Sequence, residues 1–233
     1  MAKMKKRRIL SGIKIVCFVV LFCVVLRVFV GEPCTVPSDS MYPAIYPGDR
    51  IWIDYVTYGA RMPRRLADIP IINVFTWNKY LRELDKKNDW GFNRIRGLRM
   101  PRKGDLAVFE SPEFPHPLLV KRISSRLKTG DTIIITKDNY DIVHNIVQIE
   151  GKQISKIEDS IYIDGKIDSV CVLSQPYYFM RGDNTKNSHD SRFFGYIPYS
   201  SIVGKMDLVF FSINSNNMLF DKIRWRRFFR IIK

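Results

Sequence analysis

A run of 22 mostly apolar residues from Ile9 to Val30, broken only by Lys14 and Arg27, constrains this chain more than any other feature. It follows the segment MAKMKKRR, which carries five basic residues and no acidic one. At about 1.5 Å per residue a helix of this length crosses a hydrocarbon core of about 30 Å. Lys14 and Arg27 each lie within about a turn and a half of an end, where their stems let the charges reach the interface. A cleaved signal peptide is the alternative, but the run is long for one and VFVGEPCTVP offers no small-x-small cleavage site. We read residues 1–8 as a cytoplasmic basic terminus and 9–30 as a retained transmembrane signal anchor. Because the basic cluster precedes the span, everything after Val30 is expected on the extracytoplasmic side of a cell membrane, crossed once.

That topology bears on the charge. A net charge of +15 suits nucleic acid, an anionic membrane surface or a generally basic proteome. Export of the domain argues against nucleic acid. The exported part, residues 31–221, is a globular length of chain with no internal repeat. Strand signals recur through it, in RIWIDYVTY (50–58), DLAVFE (105–110), PLLVKRI (117–123), DTIIIT (131–136), SIYIDGKI (160–167), PYYFM (176–180) and SIVGKMDLVFFSI (201–213). Asp164-Gly165 inside SIYIDGKI predicts a tight hairpin. Short strands between Gly, Pro, Asn and Asp turns, without strand-helix alternation, indicate a mostly β, antiparallel domain.

Two segments stand apart. Residues 60–103 are rich in Arg, Lys, Trp, Asn and Pro, with a short helix expected at WNKYLRELDKK (77–87); the insertion reads equally as a solvated excursion or as a flap at the membrane or substrate side. The tail KIRWRRFFRIIK (222–233) interleaves six basic residues with aromatic and aliphatic ones. That pattern stacks on single strands of nucleic acid or lies on a membrane surface, and the anchor favours the membrane, with lipid as the partner. Of the four cysteines only Cys34 and Cys171 lie outside the span, and whether they pair is left open. His116, His144 and His189 are scattered without a metal-ligand spacing, so no metal and no cofactor is expected.

The segment TVPSDSMYPAIYPGDRI (35–51) places Ser38 and Ser40 two residues apart between Pro37 and Pro43. A serine hydroxyl is a weak nucleophile that needs a neighbouring base, and none of the three histidines has a catalytic setting. A lysine serves only if desolvation or nearby cations drive its pKa down. In PLLVKRIS, strand alternation puts Leu119, Lys121 and Ile123 on one face and Val120 and Arg122 on the other. An ordinary solvated Lys-Arg pair would produce the same letters, so alternation alone leaves the base open. MRGDNTKNSHDSRFFGYIP (180–198) follows an apolar strand as a polar, turn-rich loop able to build a hydrogen-bonded support.

PSDSM, PGD, KGDLAVF, LLVKRI and GDNTKNSHDSRFFGYIP, in that order and with compatible gaps, resemble the motif boxes of type I signal peptidases, membrane-anchored Ser-Lys endopeptidases. The resemblance covers the anchor and residues 35 to about 210. It implies an antiparallel β catalytic core and removal of signal peptides from exported preproteins after small residues at −1 and −3. Ser40 then matches the nucleophile, Lys121 the general base, and Ser38 the hydroxyl that joins the Ser40 amide at the oxyanion. Ser188 matches the residue orienting the lysine, Asp190 and Arg192 a supporting ion pair, and Gly182, Asp183 and Asn184 a loop beneath the site. Val36, Met41, Ile45, Leu119 and Val120 fall where the family lines its pockets for small side chains. The implied partners are preprotein signal peptides and membrane lipid, with the secretion translocon a further candidate and no nucleic acid.

The chain departs from the family pattern in two places. ISSRLKTGD (123–131) keeps only Gly130-Asp131 of the usual Gly-x-Pro-Gly-Asp, and Pro43-Ala44-Ile45 replaces Pro-Thr-Leu. Two rivals stand beside this reading. One is a related Ser-Lys peptidase that cleaves itself or one dedicated substrate. The other is a noncatalytic, membrane-tethered binding protein, which loss of either dyad residue would have favoured.

Overall fold

The structure, a computed structural model, describes residues 2–70, 78–113, 115, 117–157, 160–214 and 223–232. His116, residues 71–77 of the expected insertion, and the two ends of the tail at Lys222 and Lys233 lie outside the described residues. The chain forms two compact units, Met1–Glu32 with Asp54–Leu98, and Pro33–Ile53 with Arg99–Lys233.

In the first unit, helix α1 runs Ala2–Phe29, and Ser11–Phe29 within it is long and apolar enough to cross a membrane, with none of that stretch buried. It stops just ahead of Gly31 and Pro33, residues that disfavour its continuation. The chain returns to this end later: the Tyr55 amide donates to the Val30 carbonyl at 3.0 Å and its hydroxyl to Glu32 at 2.8 Å. Helix α2 covers Lys79–Lys87 and starts where the Asn78 side chain accepts the Tyr80 amide. Asp85 is buried on its inner face because its carboxylate accepts the amides of Leu66 and Ala67. The described residues on either side of 71–77 are thus held by local capping.

The second unit is β-rich. In chain order its strands are β1 (Gly31–Thr35, which begins in the first unit), β2 (Asp49–Asp54, which ends there), β3 (Leu106–Glu110), β4 (Leu118–Leu127) and β5 (Thr132–Ile134), followed by helix α3 (Tyr140–Ile149). Then come β6 (Ile154–Ile157), β7 (Ser160–Ile163), β8 (Lys166–Ile167), β9 (Val170–Val172), β10 (Tyr177–Arg181), helix α4 (Ser191–Phe194), β11 (Ile197–Pro198), β12 (Ile202–Ser212) and β13 (Arg230–Ile231). The main sheet has the order β1-β2-β12-β3-β4-β10-β11, with β13 on β12. β3 is its central strand; Leu106, Ala107, Val108 and Phe109 are all buried, as a strand covered on both faces requires. Antiparallel pairing sets Ala107 opposite Lys121 and Arg181 opposite Arg122.

A second hydrophobic cluster gathers Val143, Ile146 and Val147 of α3 with Ile161, Ile163, Cys171 and Tyr177. The sequence reading passed over α3, although DIVHNIVQI repeats apolar residues at helical spacing. The Asp164-Gly165 hairpin forms as expected, with φ of 51° and 77° at its two turn residues. Cys171 is buried in this cluster and Cys34 lies in β1, and no disulfide joins them.

Candidate active site

All of the expected site residues belong to the second unit. Lys121 is the fourth residue of β4, pointing to the buried face with Ile123 as strand alternation requires, and only 2% of it is exposed. Its Nζ donates to Ser188 Oγ at 3.0 Å, and the Ser188 hydroxyl donates to Asp190 Oδ2 at 2.9 Å. Arg192 holds the same carboxylate through Nε at 2.8 Å and Nη2 at 3.0 Å, and the Gly182 amide adds a bond of 2.9 Å. Asp190 also caps α4 by accepting the Arg192 amide. One wholly buried carboxylate thus organises the end of β10, the start of α4 and Ser188.

The electrostatics follow from this geometry. Burial drives the Lys121 ammonium down to about 8; Asp190 opposes the fall, Arg192 adds to it and Asp183 opposes it. Burial alone would raise Asp190, but Arg192, the Gly182 amide and Ser188 together hold its carboxyl at about 2. Asp190 therefore stays ionised while Lys121 loses its proton around pH 8 instead of above pH 10. On the opposite face of β4, Arg122 forks onto Asp183 at 2.8 Å through both nitrogens, which raises its own pKa above the usual value.

The serine segment is built from backbone turns. A turn opens at Ser40, with the Tyr42 amide on the Asp39 carbonyl and the Ile45 amide on the Met41 carbonyl, both at 2.9 Å. The hydroxyls of Ser38 and Ser40 still meet, at 3.2 Å. Loop 182–187 supports this turn from below: the Asn184 amide donates to the Ser40 carbonyl at 3.1 Å, and the Asn184 side chain to the Asp39 carbonyl at 3.3 Å. Asn187, which sequence reasoning missed, holds the Asp39 carboxylate at 2.9 Å.

Gly182 joins the two groups. A Cβ there would fall 2.1 Å from Ser188 Oγ and 2.6 Å from the Ser40 carbonyl oxygen, so the absent side chain is what lets the lysine network and the serine turn lie side by side. No hydrogen bond links Lys121 to Ser40 in this state; the lysine proton is engaged with Ser188. Val36, Met41 and Ile45 are buried to 5%, 1% and 0% exposure, whereas Leu119 and Val120 are half-buried. Among the described residues no cluster of His, Cys, Asp or Glu is arranged to hold a metal ion.

The family described as "Signal peptidase, peptidase S26" matches residues 9–211. The chain belongs to that family. Signal peptidase I of Pseudomonas aeruginosa is 28% identical over 227 residues, covering 84% of this chain and 70% of that protein. Signal peptidase I of Helicobacter pylori is 22% identical over 266 residues, covering 88% of this chain and 86% of that one. A crystal structure of a signal peptidase I from Enterococcus faecalis is matched at 21% identity over 47% of this chain and 98% of its own, with a TM-score of 0.25, too low to bear on the fold. Residues 9–211 take in the apolar helix, the serine turn, Lys121 and the Ser188–Arg192 network, so this signal peptidase family member carries every polar group described above within the matched region.

Proposed function

We propose that this peptidase removes signal peptides from exported preproteins by acyl-enzyme chemistry, with Ser40 as nucleophile and Lys121 as general base. The observation that carries the reading is the buried Lys121, lowered to about 8 and tethered through Ser188 to an ionised Asp190. A lysine at that value is about one-tenth neutral at pH 7, enough to serve as a base. Neutral Lys121 still donates a hydrogen bond to Ser188 Oγ and keeps its lone pair for the Ser40 hydroxyl. Ser40 Oγ then attacks the scissile carbonyl as its proton passes to Lys121 Nζ. The Ser40 amide and the Ser38 hydroxyl hold the resulting oxyanion. Protonated Lys121 gives its proton to the departing amine, leaving an ester on Ser40. Water, deprotonated by Lys121, hydrolyses that ester and frees Ser40.

Small side chains at −1 and −3 are accommodated between Leu119, Val120 and the rim of the segment from Val36 to Ile45. The apolar helix anchors the protein in the cell membrane with its N-terminus cytoplasmic and its peptidase unit outside. Ser40 follows Val30 by only ten residues, which puts cleavage near the outer surface, where signal peptides and the secretion translocon end their work. Lipid contacts of the basic, aromatic tail belong to the same reading.

The test is incubation of detergent-purified protein with a preprotein and mass spectrometry of the cut. Cleavage after a small residue is expected, lost in both Ser40→Ala and Lys121→Ala, with the double variant no worse than either. Substantial turnover by Ser40→Ala, with contamination excluded, sinks the mechanism. A protease-protection assay that finds the peptidase unit in the cytoplasm sinks the topology.

A further inference from the structure

The tail has two faces, and only one of them faces outward. Trp225, Phe229 and Ile231 are exposed, yet Arg227 between them is 5% exposed. Its guanidinium forks onto Asp49, which is wholly buried, with Nε 3.0 Å from Oδ1 and Nη2 2.5 Å from Oδ2, and Nη2 also donates to the Ala44 carbonyl at 3.0 Å. Arg224, one helical turn earlier, donates to the Pro47 carbonyl at 3.0 Å. Both guanidinium groups lie over the Tyr46 ring, at 4.1 Å for Arg227 and 5.4 Å for Arg224. Within the held segment, the Tyr46 amide closes onto Asp49 Oδ2 at 2.8 Å.

This segment is the descending limb of the serine turn. Val36 pairs with Gly48 and Asp49 through two backbone bonds of 2.9 Å, which closes residues 37–47 into a loop with Ser38 and Ser40 on it. Gly48, at φ +86°, sits so close to the end of β12 that a Cβ would fall 2.0 Å from the Ile213 carbonyl oxygen. The tail itself is fixed: β13 pairs with Leu208 and Val209, and Phe211 and Phe228 pack edge to face at 4.8 Å. A buried ion pair adds little net stability over apolar packing, so its contribution here is a defined geometry.

We infer that Arg227, assisted by Arg224, is a positioning residue for catalysis: the C-terminal tail clamps residues 44–49 and thereby holds the Ser40 turn against the lysine network. The inference rests on Ser40 being the nucleophile. It assigns the tail a task that persists on soluble substrates, separate from any lipid contact of its outer face.

The test uses the full chain in detergent with a soluble Ala-x-Ala peptide, measured well below the melting temperature of each variant. Arg227→Met should lower kcat about 10- to 100-fold with KM within about twofold, the effect of a small misplacement of reacting groups. Arg227→Lys, which keeps the charge without the fork, should recover only part of it. Arg226→Met, an exposed neighbour, should leave both constants unchanged. In combination with Ser38→Ala, the loss in kcat from Arg227→Met should be less than additive, because both act on one constellation. Should Arg227→Met fail to fold, Arg224→Met carries the same test with a smaller drop in kcat. A variant that melts earlier but keeps wild-type kcat while folded, or equal losses in Arg226→Met and Arg227→Met, overturns the clamp. Activity retained in Ser40→Ala would instead overturn the nucleophile assignment.

Discussion

Replacing Asp190 with Asn perturbs Lys121, the proposed base, through charge, and the structure sets the direction and size of the effect. Lys121 Nζ lies 3.0 Å from Ser188 Oγ, which lies 2.9 Å from Asp190 Oδ2. Opposite charges about 6 Å apart at an effective dielectric near 20 attract by about 3 kcal/mol, or about two pK units. Arg192, bound to the same carboxylate, repels Lys121 in both proteins and so does not reduce the difference between them. A downward shift of about two units is therefore expected, since removing the negative charge disfavours the protonated lysine. The midpoint of the acid limb of kcat/KM should move from about 8 to about 6. The assay is turnover of a soluble peptide across that range in both proteins, with folding checked by near-ultraviolet circular dichroism. The plateau should fall, because the base is weaker and Ser188 less firmly held, while the deficit narrows towards neutral pH. A midpoint that stays near 8 or moves upward would refute the coupling between Asp190 and the base.

Lys121→Met should abolish turnover yet stabilise the folded chain at neutral pH. The lysine titrates near 8 folded against 10.5 in the reference state, so its burial as a cation costs on the order of 3 kcal/mol below pH 8 and is relieved as pH rises to 10.5; about 1 kcal/mol is given back by losing the Ser188 bond. Thermal melts should show the gain at pH 7 fading towards pH 10.5, and a variant less stable than wild type at neutral pH would contradict desolvation of the lysine. Gly182→Ala should cost about 1–3 kcal/mol of stability and most activity, because its Cβ meets Ser188 Oγ at 2.1 Å and the Ser40 carbonyl at 2.6 Å; a denaturant melt and a peptide assay decide, and a neutral outcome would mean that the loop yields. Ser38→Ala should lower kcat about 10²–10³-fold with little change in KM. A raised KM with kcat intact would move Ser38 to substrate binding.

Much of the site was legible because its parts are locally encoded. Alternation in PLLVKRIS placed Lys121 on the apolar face, where the structure buries it. The Asp190–Arg192 ion pair and the loop at Gly182 came from resemblance, and their bonds follow the order of the motif. The conformation of the serine segment was not legible: a turn opens at Ser40, and proline spacing signals rigidity without specifying its shape. Helix α3 was missed among strong strand signals, and its apolar repeat becomes decisive only against the cluster that covers it. The tail was read as a membrane-surface segment, and alternating basic and aromatic letters do not show which arginine meets a carboxylate.

The sequence by itself determined the apolar helix, the strand-rich class and the tight turn at Asp164-Gly165, all properties of neighbouring residues. Hydrophobic length, side-chain alternation and backbone preference act within a few positions of one another. Only the tertiary structure decided which distant groups share a space. Lys121 meets Ser188 across 67 positions, and Asp49 meets Arg227 across 178. Such pairs depend on strand order and register, which bring β4 beside β10 and lay β13 on β12. The physical reason is that burial makes a charge seek a partner wherever the fold supplies one, and no local pattern records where that will be.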